Sequence, residues 1–292
     1  MNRIQRLSRE IECIRNADDI ILNYPEHKSE DNRVNLHYYH AEWCDRETDV
    51  NLGDYLSEVI VRWLCEKNGI LFERTIPERK HLYAIGSILQ MGYQNATVWG
   101  TGFAFELGRL RGIPHRKRNL DIKCVRGPLT RNTLIQLGFN CPEIYGDPGI
   151  LMPLVYKPDG ARHVDYVIIP HYSVEEKTRV EYGSDRIISM NTKDYASVID
   201  RICSADRVVS SSLHGIILAE AYGVPAVFYQ DRPERFNFKY NDWYQSTGRE
   251  EIVACDSIDS ALKMRVKEVN HKRVRIMQER LLDTFPYELW NN

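Results

Sequence analysis

Residues 207–229, RVVSSSLHGIILAEAYGVPAVFY, set a polar turn between an apolar strand-like run and a helix-like run. Ser210, Ser211 and Ser212 supply hydroxyls, His214 brings an imidazole, a group that ordinarily titrates near neutrality, and Gly215 lets a ligand approach the backbone closely. A helix beginning there presents free N–H groups and a partial positive charge, which suits an anion with a proton carrier beside it. A histidine at a helix start is ordinarily a cap or a core residue. Here several features converge on one turn, and that convergence favours chemistry. Glu220, farther along the same helix, could read a ligand hydroxyl or simply lie on the helix surface.

A second junction, CVRGPLTR (124–131), places Arg126 at a strand end before a Gly-Pro turn. Its guanidinium fork is suited to a phosphate or carboxylate in a cleft; a salt bridge is the competing use. Arg131 reads as structural. In NLGD (51–54), Asn51 and Asp54 bracket Gly53 at a helix start, where they either cap the helix or hydrogen-bond sugar hydroxyls. Gly86 in AIGSI and Gly100-Thr101-Gly102 in VWGTGF are turns that would bring backbone to the same cleft. His171 follows the run YVIIP (166–170), a strand end where an acid or base could sit. Asp147 in YGDPG reads equally as a turn residue.

These residues need strands and helices to hold them. VNLHYYH (34–40) alternates like a strand, NLGDYLSEVIVRWLCEKNG (51–69) opens and closes like a helix, and 121–138 passes from strand to helix with Gly138 at its end. Before them, helical spacing to about residue 22 gives way to a polar loop. KPDGARHVD (157–165) has the composition of an interdomain linker. Beyond it YVIIP, IISM, YASVIDRICSA, RVVSSS, LHGIILAEAYG and VPAVFY alternate strand and helix. Both halves therefore read as doubly wound α/β units with parallel sheets, with ligands expected beyond the carboxyl ends of the strands. The expected division is 1–157, 158–256 and a helical segment 257–292. That last segment carries Lys263, Arg265, Lys267, Lys272, Arg273, Arg275 and Arg280 against Glu268 and Glu279, either a solvated helix face or a contact for an anionic membrane surface.

The chain has 292 residues, 43% hydrophobic and 27% charged, with a formal net charge of -2. That composition is of a folded protein, and a slightly negative net charge makes nucleic acid an unexpected partner. No apolar stretch approaches a membrane span, and the charged first residues lack the core of an export signal, so the expected location is cytoplasmic. Seven cysteines are scattered without metal-ligand spacing, so reduced thiols and no metal are expected.

Taken in order, NLGD (51–54), AIGSI (84–88), WGTGF (99–103), VRGPLTR (125–131), GDPGIL (146–151), IIPHY (168–172) and SSSLHGIILAEAYGVPAV (210–227) resemble the polysaccharide pyruvyltransferase family. The resemblance implies a GT-B-like pair of Rossmann-like domains facing a cleft, with phosphoenolpyruvate as donor and neither nucleotide, metal nor other cofactor. It implies transfer of the pyruvyl group to two hydroxyls of a hexose, commonly those at positions 4 and 6, with galactose preferred, during exopolysaccharide or capsule synthesis. The acceptor could be lipid-linked, with the protein peripheral at the inner membrane face. On this resemblance His214, His171 and Arg126 are the catalytic set. Arg126, Ser211, Ser212, His214 and Gly215 bind the donor; Asn51, Gly53, Asp54, Gly100 and Thr101 bind the acceptor. Family members often carry Arg-Leu-His where this chain has Ser212-Leu213-His214, which raises the importance of Arg126. Two alternatives remain: a nucleotide-sugar glycosyltransferase in which Glu220 reads the ribose, and a sugar-binding relative without catalysis.

Overall fold

The structure is a computed structural model that describes residues 32–39, 50–107, 114–159, 163–231, 237–250, 252–266 and 269–291. Two parallel sheets organise them. The first contains β1 (Val34–His37), β2 (Lys80–Tyr83), β3 (Asn95–Trp99) and β4 (Asn119–Cys124), paired in that order. Leu36 lies beside Leu82, and Leu82 beside Thr97. The second contains β5 (Val167–Ile169), β6 (Val208–Ser210) and β7 (Ala226–Phe228), again in order and parallel. Continuous apolar runs such as VII and AVF are buried at every position, as parallel strands covered on both faces require. The mixed α/β architecture with parallel sheets thus agrees with the sequence.

Among the described residues the helices are α1 (Leu52–Lys67), α2 (Pro128–Gln136), α3 (Met152–Val155), α4 (Glu175–Tyr182), α5 (Tyr195–Cys203), α6 (Leu213–Ala221), α7 (Phe238–Ser246), α8 (Ile258–Lys263) and α9 (His271–Asp283). α1 buries Leu52, Leu56, Ile60 and Leu64 one face deep, and one apolar cluster runs from these residues through Met190 and Ile216 to Trp243. The first N–H of α1 donates to the Met190 carbonyl at 2.7 Å, so its N-terminus is seated on the second half of the molecule. α9 returns to the first sheet. The Trp99 indole donates to the Leu281 carbonyl at 3.0 Å, and Val274, Met277 and Leu281 form its buried stripe.

The structure departs from the reading of the sequence in three places. IISM forms no strand; Ile187 makes one isolated bridge to Ile168. α4 and α7 fill stretches for which no element was expected, and α7 proves decisive for the site. The expected helix and loop before residue 32, Lys267 and Glu268 of the basic segment, and Gly160–Arg162 of the linker lie outside the described residues. No described helix is long and apolar enough to cross a membrane.

Candidate active site

A cavity of about 580 Å³ opens between the two halves. Asn51, Asp54 and Ser87 line it from the first half; His171, Ser212, His214 and Lys239 line it from the second. α1 and α6 both direct their first turns at it. That is where parallel-sheet proteins place ligands, because the strand ends leave a crevice that helix N-termini face.

His214 occupies the second position of α6, after Ser212 at the cap, whose hydroxyl accepts weakly from the Gly215 N–H at 3.4 Å. The imidazole lies directly against Gly53 in the first turn of α1, and any side chain at Gly53 would overlap the ring. Glycine is required there by proximity rather than by backbone angle. Nε2 of His214 faces Oδ2 of Asp147 at 3.8 Å, beyond hydrogen-bond reach, and both atoms are buried without a partner. Asp147 Oδ1 accepts from the Gly149 N–H at 2.9 Å, so its turn role is real and occupies only one oxygen. Burial pushes His214 down to about 3, aided by the positive charges of Lys239 and Arg126, so the ring is a neutral base at pH 7.

Asp54 shows the opposite displacement. Burial raises its carboxyl to about 7; Lys239 opposes the rise and Asp147 adds to it. The first turn of a helix would normally favour the carboxylate, and desolvation outweighs that preference here. Asp147 is likewise raised, to about 6, chiefly by burial. Asn51 stands at the α1 cap position without a side-chain capping bond, and the side chain lines the cavity instead. His171 is half-buried at the rim. Its backbone N–H donates to the Ser211 hydroxyl at 2.7 Å, Nδ1 accepts from the Ser173 N–H at 3.2 Å, and its ring lies against Tyr172. Among the described residues no group of histidines, cysteines and carboxylates is arranged to hold a metal.

Residues 95–230 match the family described as polysaccharide pyruvyl transferase. Over those residues the chain is similar to that family. It is 28% identical over 192 residues to the uncharacterized protein L143 of Acanthamoeba polyphaga mimivirus, covering 62% of this chain and 64% of that one. It is also 28% identical over 213 residues to the succinoglycan biosynthesis protein ExoV of Rhizobium meliloti (strain 1021), covering 68% of this chain and 62% of that one. The chain thus spans less than two thirds of the length of these curated relatives. A crystal structure of a functionally uncharacterized Klebsiella pneumoniae protein, KP1_0663, overlays with a TM-score of 0.45 at 10% identity, covering 88% of this chain and all of that one.

The segment matching the pyruvyl transferases holds Arg126, Asp147, His171 and His214; Asn51, Asp54 and Lys239 fall outside it. Arg126 does not enter the cavity, contrary to the expectation of a clamp. It is 0% exposed, with Nε donating to Asp242 at 3.0 Å and its terminal nitrogens donating to the Ser87 hydroxyl and the Phe103 carbonyl, each at 2.6 Å. It therefore stands one layer behind the wall, steadying Ser87. Ser211 is also committed, donating to Asp231 at 2.9 Å while its carbonyl accepts from Tyr240. Gly215 packs against Ser210 and Ile169. Thr101 is buried and donates to the Gly86 carbonyl at 2.8 Å, and Gly100 lies against Pro148; neither lines the cavity.

Two charged residues of the site escaped sequence reasoning: Asp147, buried beside His214, and Lys239, which lines the cavity. Asp147 looked like a turn residue because its capping role satisfies that pattern. Lys239 belongs to α7, a helix whose short, mixed sequence FKYNDWYQS gave no periodic signal. A lysine in the first turn of a helix, where a cation is unfavourable, is the signal that could have marked it.

Proposed function

We propose that the protein is a ketal pyruvyltransferase that moves the pyruvyl group of phosphoenolpyruvate onto two hydroxyls of a hexose. The observation that carries this is the cavity bounded by both halves, in which a neutral histidine, His214, and a carboxyl held near neutrality, Asp54, share a space with Lys239. Addition to an enol phosphate needs an acid at the methylene carbon and a base at the attacking hydroxyl, and environments that drive two groups apart in pKa divide those tasks. Protonated Asp54 gives its proton to the methylene, turning it into a methyl group. His214 removes the proton of the first sugar hydroxyl as that oxygen bonds to the adjoining carbon. Phosphate leaves the tetrahedral adduct with the proton held on His214, and the second hydroxyl closes the ketal as its proton passes to the Asp54 carboxylate, so both groups are restored and the sum is phosphoenolpyruvate plus diol giving ketal plus hydrogen phosphate.

Ser212 and the first turn of α6 face the donor, while Asn51 and His171 at the rim face the acceptor. This moves the second proton-carrying role from His171 to Asp54, because Asp54 is the buried group poised near neutral pH. The two parallel sheets fit a GT-B-like pair of domains divided near residue 157, with 257–292 returning onto the first. A hexose such as galactose, in a lipid-linked polysaccharide precursor, is the acceptor class we favour. The exposed Lys272, Arg273 and Arg275 of α9 offer a face for an anionic cytoplasmic membrane surface.

The nucleotide-sugar alternative loses the residue it relied on. Both oxygens of Glu220 accept from Arg249, at 2.6 and 2.9 Å, and one also accepts from the Trp243 indole at 2.8 Å, all buried. The test is phosphate release from phosphoenolpyruvate with a panel of galactosyl, mannosyl and N-acetylhexosaminyl acceptors, with products examined by mass and carbon NMR. Release with a cyclic ketal is expected. Glycan binding without release from any acceptor would instead make the protein a sugar-binding relative.

A further inference from the structure

Behind His214 stands a carboxyl group that the cavity does not reach. Asp147 is 0% exposed and absent from the cavity lining, yet its placement is closely specified. The Gly146 N–H before it donates to the Val125 carbonyl at 3.0 Å, and its own carbonyl accepts from the Ile150 N–H at 3.0 Å, so the turn is tied on both sides. Oδ1 is occupied by the Gly149 N–H. Oδ2 is sealed from solvent without a partner and faces Nε2 of His214, equally sealed and unpartnered, at 3.8 Å. The carboxyl belongs to the first half of the molecule and the imidazole to the second, so the pair is assembled only where the halves meet. Polar atoms buried without partners are unfavourable, and each of these is the nearest remedy for the other. A closure of about 1 Å makes the hydrogen bond, and such bonds between reacting groups are often long in the empty enzyme and tighten in the complex.

We propose that Asp147 is the positioning residue of His214: it holds the imidazole with a proton on Nε2, leaves Nδ1 as the nitrogen that takes the sugar hydroxyl's proton, and faces the imidazolium that forms. This rests on the function proposed above. At about 6, Asp147 is mainly ionised at pH 7, and a carboxylate only accepts, so the nitrogen facing it carries the hydrogen. Nδ1 lies on the Gly53 side of the ring, where a Cβ would come within 1.8 Å of it. Unlike Nε2 it is not sealed from solvent, and no described residue hydrogen-bonds it. The protons balance: Nδ1 gains one from the hydroxyl, Nε2 keeps its own, and the gained proton leaves with phosphate. Burial, Lys239 and Arg126 all oppose a charged ring. The Asp147 carboxylate offsets them only while the ring is charged, which is when the reaction needs it.

Nitrogen NMR of the full chain at pH 7, labelled on its histidine rings and with the His214 signals assigned by their loss in His214→Gln, reads the tautomer without any substrate. Wild type should show Nε2–H and an unprotonated Nδ1. Asp147→Asn keeps an oxygen for the Gly149 N–H and turns an amide N–H toward Nε2, so the ring should switch to Nδ1–H. Its turnover should fall about 10²-fold or more while KM for phosphoenolpyruvate stays within about threefold. The double variant Asp147→Asn/His214→Ala should be no slower than His214→Ala alone, since Asp147 acts through that ring. An Nδ1–H ring in wild type, a tautomer unmoved by Asp147→Asn, wild-type turnover in that variant, or losses that multiply in the double variant would each overturn the proposal. The expected tautomers in a protein that releases no phosphate with any acceptor would keep the pairing and overturn the pyruvyl-transfer function.

Discussion

Two strand-to-helix junctions of this protein have nearly the same design and opposite fates. At Val208–Gly215 a strand ends in serines, a cationisable side chain follows and a helix begins; at Cys124–Arg131 a strand ends in arginine, Gly-Pro makes the turn and a helix begins. The first opens onto the cavity. The second is closed by Asp242, which accepts from Arg126, from the Thr130 N–H at 2.9 Å and from the Thr130 hydroxyl at 2.7 Å. Gly127 permits the closure, since a side chain there would overlap the Asp242 backbone. Residue type selects what a junction could bind; what packs over it selects whether anything can.

If that contrast is right, the two junctions fail in different currencies. Arg126→Met should leave Asp242 buried with its main partner gone and lose roughly 3–5 kcal/mol of stability, read as a lower urea midpoint. Pairing it with Asp242→Leu should recover part of that loss. His214→Ala should instead cut turnover by about 10²-fold or more while its urea midpoint stays near wild type. Near-normal turnover would strip His214 of a proton-transfer role, and an unshifted midpoint for Arg126→Met would reopen that corner as a binding site.

The titrating carboxyl sharpens the contrast further. Asp54 is raised from 3.8 to about 7 in the folded protein, so between those values the native state holds a proton that the unfolded chain has released. Its contribution is fully present below the unfolded pKa and is lost as pH rises through about 7. The stability of wild type minus that of Asp54→Asn should therefore fall on going from pH 5 to pH 7, by on the order of 1–2 kcal/mol. His214, held down to about 3, has the opposite slope in both proteins and cancels in the difference. A flat difference would mean that Asp54 is solvated and ordinary. The smallest effect on turnover is expected from Gly53→Ala, which displaces the His214 ring and should reduce turnover about tenfold, by the sensitivity of proton transfer to position, while the overlap with the ring and its Cβ also lowers the urea midpoint.

Much of this was legible in the chain itself. Short apolar runs marked parallel strands, Asn51–Asp54 and Ser212–Gly215 marked two helix starts, and the ordered motifs pointed to the family that residues 95–230 match. What was not legible is traceable to α7. Its nine residues bury Tyr240, Asp242, Trp243 and Tyr244 and leave Lys239 at the cavity, a pattern set by three different neighbours rather than by one apolar face. Asp242 seals Arg126, Trp243 helps to hold Glu220, and Lys239, rather than Arg126, lines the cavity.

The sequence by itself determined the strands, the helix starts and the chemical types available at each, because these follow from hydrophobic period, turn residues and capping over a few neighbours. Only the tertiary structure decided which charges face the ligand and which are spent inside. Burial and pairing depend on residues more than a hundred positions apart, as Arg126 and Asp242 are, and no local pattern records that distance.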